Sequence, residues 1–351
     1  AKLFIPPVKP NSISIVGMCD EGVQVCKAGL ADDGASRTMF PSIFSRPRRA
    51  GMLVVLAVAA VVVSVLFVTP VHSLDDTEVV ALKDMQLVWN PPGWDGVPSC
   101  SWPNITCGKE GHVVRLVLTS LYMYGPEITD NAGAKIPGTI GNLVYLRYLS
   151  LNDNSFTGII PPSIGNLTCL EHLDLSFNRL GGFLPPTIGN LKNLTYLSVD
   201  GNSDPGPGLT GELPSELSQL TQLRALGVSM NRFVGTLPDL TGMTELRHLV
   251  VGFNEFWGGL EQLGLLPSLR SVGVNACQFS GPLPATMASN HLKSFGCWKN
   301  HLSGSLPDWV CSLPDGRNDY HDLSDNDWTC PLPSCCDTNE SLQCGDCKSS
   351  N

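Results

Sequence analysis

His172 and Asp174 stand two residues apart in the segment Glu171-His-Leu-Asp-Leu175, a spacing that puts both side chains on the same side of a strand. A histidine beside a carboxylate is a minimal pair for general acid–base chemistry. No nucleophile motif, phosphate-cradling glycine loop or metal-spaced histidine cluster accompanies the pair. A second constellation, Cys344-x-x-Cys347, has the spacing used for zinc binding or thiol exchange. Neither carries a reaction on its own. His172 next to an acid reads as a surface polar contact, and no catalytic residue, metal or cofactor is expected.

The residues around that pair belong to a repeat. Residues 144–167 read VYLRYLSLNDNSFTGIIPPSIGNL and residues 168–191 read TCLEHLDLSFNRLGGFLPPTIGNL, matching at nearly every Leu, Ile, Asn, Gly and Pro. The same unit continues in register to Leu313, with an insertion at 203–208, and a degenerate first turn starts at Val113. A period of this length specifies a stacked-coil architecture, here of about eight leucine-rich repeats. Within a unit, Leu146, Leu149 and Leu151 point inward from a short strand, while Tyr148, Ser150 and Asn152 point out. One coil buries little alone, so stability comes from leucines shared between neighbours and from strands joined into a parallel sheet on the concave face. Asn154, Asn178, Asn202, Asn231, Asn254 and Asn300 recur where the strand turns away, placed to satisfy buried backbone groups of adjacent turns. Cys277 takes that position once, as a small buried substitute. The G-x-I/L-P segment after each Asn places Pro on the convex return path, where a ladder bond is absent.

The register also yields the outward columns. One, before the second core Leu, reads Tyr148, His172, Tyr196, Ala225, His248, Ser271 and Ser294. Another, before the Asn, reads Asp153, Phe177, Gly201, Met230, Phe253, Ala276 and Lys299, and neighbouring positions add Asp174, Asp200 and Trp298. The N-terminal half of this face is aromatic and acidic. The C-terminal half is lined by Gly227, Gly252, Gly273 and Gly296, with Phe253 and Trp298 above them. Tyr and Trp dominate binding hot spots, and carboxylates accept hydrogen bonds from basic side chains or sugar hydroxyls. Tyr148, Asp153, His172, Asp174, Phe177, Tyr196, Asp200, Phe253 and Trp298 are therefore the candidate ligand-binding residues. The competing reading is that these rings are simply strand formers filling a pleated surface.

The ends of the array carry the cysteines. Of 13, Cys19 and Cys26 precede an apolar run at residues 52–68, and eight lie at the two ends of the repeats. A terminal coil exposes its leucines on one side, and disulfide-braced caps cover them in oxidising compartments. Cys100 and Cys107 would close the N-terminal cap. Cys311, Cys330, Cys335, Cys336, Cys344 and Cys347 would close the other, with connectivity left open by sequence. Cys169 and Cys297 read as isolated buried thiols. The apolar run follows Arg46, Arg48 and Arg49 and precedes Val71-His72-Ser73, the pattern of a cleaved secretory signal over residues 52–73. The alternative is a retained membrane anchor, since its 17 residues reach the short end of a spanning helix. With Met52, which follows the basic cluster directly, as the start, residues 1–51 would be an upstream extension or a gene-model artefact. Sequons at Asn104, Asn166, Asn193 and Asn339 are candidate glycosylation sites in an exported chain.

The chain carries 22 basic and 32 acidic residues, net −10. Without residues 1–73 the count is 15 basic against 28 acidic, net −13. That balance disfavours nucleic acid and anionic lipid and favours basic partners. The expected architecture is an α/β-type leucine-rich repeat solenoid: a curved right-handed coil with a parallel sheet on its concave face and disulfide-braced caps. Its parts are an N-terminal cap at 74–112, repeats at 113–313 and a Cys-rich cap at 314–351.

The Leu, Asn and G-x-I/L-P pattern, with the cap sequence LDDTEVVALKDM and CSWPNITC, resembles the plant-type extracellular leucine-rich repeat family over about residues 75–336. That family includes receptor-kinase ectodomains, receptor-like proteins and polygalacturonase-inhibiting proteins. The resemblance implies a non-enzymatic, secreted or cell-surface protein that binds a protein or peptide, such as a receptor kinase or a wall-degrading enzyme. The alternatives are an inhibitor of a cell-wall polysaccharide-degrading enzyme and a structural surface coat. Membrane attachment is expected only if the 52–68 run is retained.

Overall fold

A computed structural model describes residues 74–121, 133–203, 206–289, 292–314, 321–339 and 341–349. The extension, the expected signal segment and most of the irregular 125–134 stretch lie outside these residues.

The chain enters through helix α1 (Asp76–Trp89), whose start is specified by Asp75-x-x-Glu78. The Asp75 carboxylate accepts from the Thr77 and Glu78 amides at 2.9 and 2.8 Å, and Glu78 accepts in return from the Asp75 amide at 3.3 Å. This reciprocal capping satisfies amides that a helix start otherwise leaves unbonded. Glu78 is fully buried because its second oxygen accepts from the Val113 amide at 2.9 Å, tying the helix to the first coil. The hairpin of β1 (Ile105–Cys107) and β2 (Val113–Val117) follows, closed by the Cys100–Cys107 disulfide and the stacked rings of Trp94 and Trp102.

From β2 onward the concave sheet is parallel: β2, β3 (Tyr148–Ser150), β5 (His172–Asp174), β7 (Tyr196–Ser198), β9 (Ala225–Gly227), β11 (His248–Val250), β13 (Ser271–Gly273) and β15 (Ser294–Gly296). Leu146, Leu149 and Leu151 are completely buried, as are their counterparts in the following coils, so one leucine core runs through the molecule. The asparagines form the expected ladder. Asn178 donates to the Leu151 and Leu175 carbonyls at 2.9 and 3.2 Å and accepts from the Phe156 amide at 3.0 Å. Asn202, Asn231, Asn254, Asn300 and also Asn326 repeat this pattern. At Cys277 the thiol stands in for it: Sγ donates to the Val251 carbonyl over 3.7 Å, the Phe256 amide lies against the sulfur, and burial raises this thiol to about 11. Cys277 is partly rather than fully buried.

The return path differs from its sequence reading. Instead of lacking ladder bonds, it builds a second parallel sheet from β4 (Thr157–Ile159), β6 (Arg179–Gly182), β8 (Gly208–Gly211), β10 (Arg232–Gly235), β12 (Glu255–Gly258), β14 (Gln278–Gly281) and β16 (His301–Gly304), continued into the C-terminal cap. Proline comes only after these strands. It caps a 3-10 turn such as Pro186–Asn190, where a missing amide costs nothing. The glycine of G-x-I/L-P ends each strand at positive φ, for example +84° at Gly235.

Three disulfides seal the C-terminal cap: Cys311–Cys335, Cys330–Cys347 and Cys336–Cys344. Cys344 and Cys347 thus bond to different partners, which removes the zinc or exchange reading of their spacing. Cys297 is a buried free thiol as expected, whereas Cys169 is disulfide-bonded. The thiol reading of Cys169 is corrected: the repeat pattern specifies a buried position there but not its oxidation partner. No helix among the described residues is long and apolar enough to cross a membrane.

Candidate ligand-binding face

Parallel pairing in register makes equivalent positions of successive coils direct neighbours. Arg115 pairs with Tyr148, Tyr148 with His172, and His172 with Tyr196. Strands in a sheet lie ~4.8 Å apart, close to ring-stacking distance. The rings stack accordingly, Tyr148 on His172 at 4.0 Å and 3°, and His172 on Tyr196 at 4.2 Å and 10°. The Arg115 guanidinium caps the pile 3.7 Å from the Tyr148 ring centre, a cation–π contact. Ala225 ends it.

The acids of this half are satisfied in place. Asp174 accepts from the Ser176 hydroxyl at 2.6 Å and amide at 3.1 Å. Asp200 accepts from the hydroxyls of Ser198 and Ser229 at 2.7 and 2.8 Å and from the Ser229 amide at 2.6 Å. Gly227 makes room for it, since a Cβ there would lie 2.2 Å from the Asp200 carboxylate. Burial raises the Asp200 carboxyl above its usual range against the opposing serine bonds, and nearby Asp174 adds to the rise. Burial between the tyrosines lowers His172, which Asp174 opposes and Arg115 reinforces. Among the described residues no hydrogen bond or ion pair joins His172 to Asp174, so the pair is not assembled for proton transfer.

The column before the asparagines is not part of the pleated face. Asp153, Phe177, Met230, Phe253, Ala276 and Lys299 all adopt φ of +50° to +56°, the left-handed region, as Gly201 does at +66°. This costs a non-glycine residue ~1–2 kcal/mol. The solenoid imposes it: each amide here donates to the next coil, Phe177 to Asp200 and Phe253 to Asn275, both at 2.7 Å. The outcome is a row of side chains at the sheet rim. Asp153 is held by the Ser120 hydroxyl at 2.6 Å, and Phe177 leans over Gly201.

The C-terminal half is open. Between β11, β13 and β15 a cleft of about 250 Å³ has Gly273 and Gly296 in its lining, with Val250, Ser271, Ser294, Asn275 and Asp322 around them. Phe253 and Trp298 form one wall, their ring centres 6.2 Å apart, and Phe253 is 50% exposed. Trp298 is held by its indole N–H donating to Asp325 at 2.9 Å and its amide donating to the Asn275 side chain at 3.0 Å. The structure therefore gathers Tyr148, His172, Asp174, Tyr196 and Asp200 into one cluster and Phe253 and Trp298 into another. Asp153 and Phe177 stand at the rim. Sequence reasoning missed Arg115 and the polar lining of the cleft, Asn275 and Asp322, although the repeat register pointed to all three positions.

Of the sequons, Asn104 and Asn166 are exposed, while Asn193 is half-buried with its amide donating to the Thr168 carbonyl at 2.9 Å. Asn339 is half-buried and accepts from the Ser341 amide.

Stacked coils, a leucine core, an asparagine ladder and an open concave sheet define a repeat solenoid built to present side chains along one face. A family model described as a leucine-rich repeat region matches residues 127–315, more than half of the chain, and the chain belongs to that family. It is 30% identical over 106 residues to an inactive leucine-rich repeat receptor-like serine/threonine-protein kinase of Arabidopsis thaliana, a match covering 26% of this chain and 16% of that protein. Among solved structures, a TDR receptor is 30% identical with a TM-score of 0.56, over 66% of this chain and 39% of that one. The ectodomain of the Arabidopsis thaliana receptor kinase GASSHO1/SCHENGEN3, solved with CASPARIAN STRIP INTEGRITY FACTOR 2, is 25% identical with a TM-score of 0.60, over 76% and 34%. The chain thus spans well under half the length of each of these proteins.

Proposed function

We propose that this chain is an extracellular or cell-surface recognition protein that binds a peptide or protein ligand on its concave face, without catalysis. The observation that carries this reading is the cleft between β11, β13 and β15. Its glycine lining leaves the backbone bare, and the exposed Phe253 and the half-buried Trp298 offer an apolar wall to an incoming side chain. The ectodomain of GASSHO1/SCHENGEN3, solved in complex with CASPARIAN STRIP INTEGRITY FACTOR 2, is a precedent for partner binding by this fold. The aromatic and acidic cluster around His172 flanks the ligand path. Asn104 and Asn166 are the sequons best placed for glycans, because their side chains stand free at the surface.

The test is affinity capture from secreted and membrane extracts with the whole glycosylated chain and with an Asp174→Ala/Phe253→Ala variant. The expected result is a partner retained by the wild type and lost by a variant with an unchanged thermal melt. A partner held equally by both would defeat the assignment of the face. If no partner is captured by either, the reading moves to a structural surface component.

A further inference from the structure

A third column of the repeat lies just before the concave strands. The residue after the first core leucine of each coil reads Arg147, Glu171, Thr195, Arg224, Arg247, Arg270 and Lys293. The backbone ladder makes the last four consecutive neighbours. The Arg247 amide donates to the Arg224 carbonyl at 2.8 Å, Arg270 to Arg247 at 2.8 Å, and Lys293 to Arg270 at 2.7 Å. Four cations thus stand in a line at about one per ~4.8 Å. Arg147, by contrast, faces Glu171 at 3.9 Å. Among the described residues none of the four forms an ion pair, and all but the half-buried Arg247 are exposed. Uncompensated like charges side by side destabilise one another. In a chain of net charge −10, such a row stands out against the overall field.

The row borders the cleft. Arg247, Arg270 and Lys293 immediately precede β11, β13 and β15, each three residues before Val250, Gly273 or Gly296, ~10 Å along the strand direction. An extended peptide laid across the strands points alternate side chains to opposite sides, one set towards Phe253 and Trp298 and the other towards the row. We infer that the ligand segment seated over β11, β13 and β15 is an extended peptide in which apolar residues alternate with acidic ones. This deepens the proposed function and rests on its concave-face reading. The apolar residues enter the cleft, and the acids neutralise the row. Arginine favours this task because its planar fork holds a carboxylate by two bonds.

The probes are three short synthetic peptides with the same leucine and tryptophan positions and with glutamate, glutamine or lysine between them. Binding is measured to the whole chain, to an Arg247→Glu/Arg270→Glu variant and to Trp298→Ala, each checked by thermal melt, with Lys293→Glu as a milder second charge variant. The glutamate peptide is expected to bind wild type about tenfold or more tightly than the glutamine peptide, and the double charge reversal to invert the preference towards lysine. Raising salt should shrink the difference, because these charges are exposed. Trp298→Ala should weaken all three peptides alike. Equal binding of the three peptides, or no binding of any to wild type, overturns the inference. Binding of polygalacturonate or heparin through the row with none of the acidic peptide overturns it in favour of a polysaccharide. If charge discrimination survives while Trp298→Ala binds as wild type does, the row stands and the cleft of the proposed function fails.

Discussion

Across β3, β5 and β7 the concave surface is filled: rings lie on rings, and Asp174 and Asp200 are bonded by neighbouring serines. Across β11, β13 and β15 the same backbone carries Val250, Gly273 and Gly296, and a cleft remains. Both halves have the same strand pairing and the same leucine core, and the asparagine ladder runs through both except at Cys277. What separates them is the outward residues at two positions per coil: Tyr148, His172 and Tyr196 against His248, Ser271 and Ser294, and Ser150, Asp174 and Ser198 against Val250, Gly273 and Gly296. A repeat scaffold holds the backbone constant, so satisfaction or vacancy of its face is set by side chains alone. The filled half resists change because its groups already have partners. The open half has apolar walls without an internal occupant, which is why binding is placed there.

The largest expected effect tests the shared core. Leu149→Ala in the filled half and Leu249→Ala in the open half remove equally buried side chains, and each should cost ~2–5 kcal/mol in chemical denaturation. A cost confined to one half would show that the cores are not equivalent. Next comes Gly227→Ala, at the boundary. Its Cβ would collide with the Asp200 carboxylate and release it from Ser198 and Ser229, at ~1–3 kcal/mol, while ligand capture through Phe253 and Trp298 persists. Loss of capture in this variant would show that the halves act as one site.

Cys277→Asn should act in the opposite direction. It restores the ladder bond to the Phe256 amide that Asn254 and Asn300 make to Phe233 and Phe279, and should raise stability by ~1 kcal/mol, read as a higher melting temperature. No gain would mean that the coil has adapted to the thiol. The smallest effect concerns pH. His172 is lowered by burial, so its neutral form is favoured in the folded state. Its contribution is present above the ordinary imidazole value of 6.5 and is lost as pH falls through the lower folded value. His172→Phe keeps a ring in the stack and should flatten the stability loss between pH 6.5 and more acid conditions, followed by thermal melts across pH. An unchanged profile would locate the acid sensitivity elsewhere.

Leu146, Leu149 and Leu151 could be assigned to the core, and Asn154 to Asn300 to the ladder, because their periods are local and repeat many times. The cap cysteines were legible for a similar reason: a cluster at each end of an array has a sealing role. Phe253 and Trp298 are legible as neighbours of the glycine positions, because the repeat period puts them one and two residues after Gly252 and Gly296. The left-handed turn under Phe177 and Phe253 was not legible, because neither residue favours it and hydrogen bonds from the next coil enforce it. The Asp75-x-x-Glu78 cap was a readable signal that went unused.

The sequence by itself determined the solenoid, its repeat register, the columns facing outward and the cysteine-rich ends, since each rests on spacing along one coil. Tertiary structure decided what crosses between coils. It paired the return segments into a second sheet, brought Arg115, Tyr148, His172 and Tyr196 into one stack, and selected one of the possible C-terminal disulfide sets. It also aligned Arg224, Arg247, Arg270 and Lys293 beside the cleft. The physical reason is that spacing says which side of a coil a residue occupies, whereas rotamers, hydrogen bonds and available volume between coils decide which residues meet.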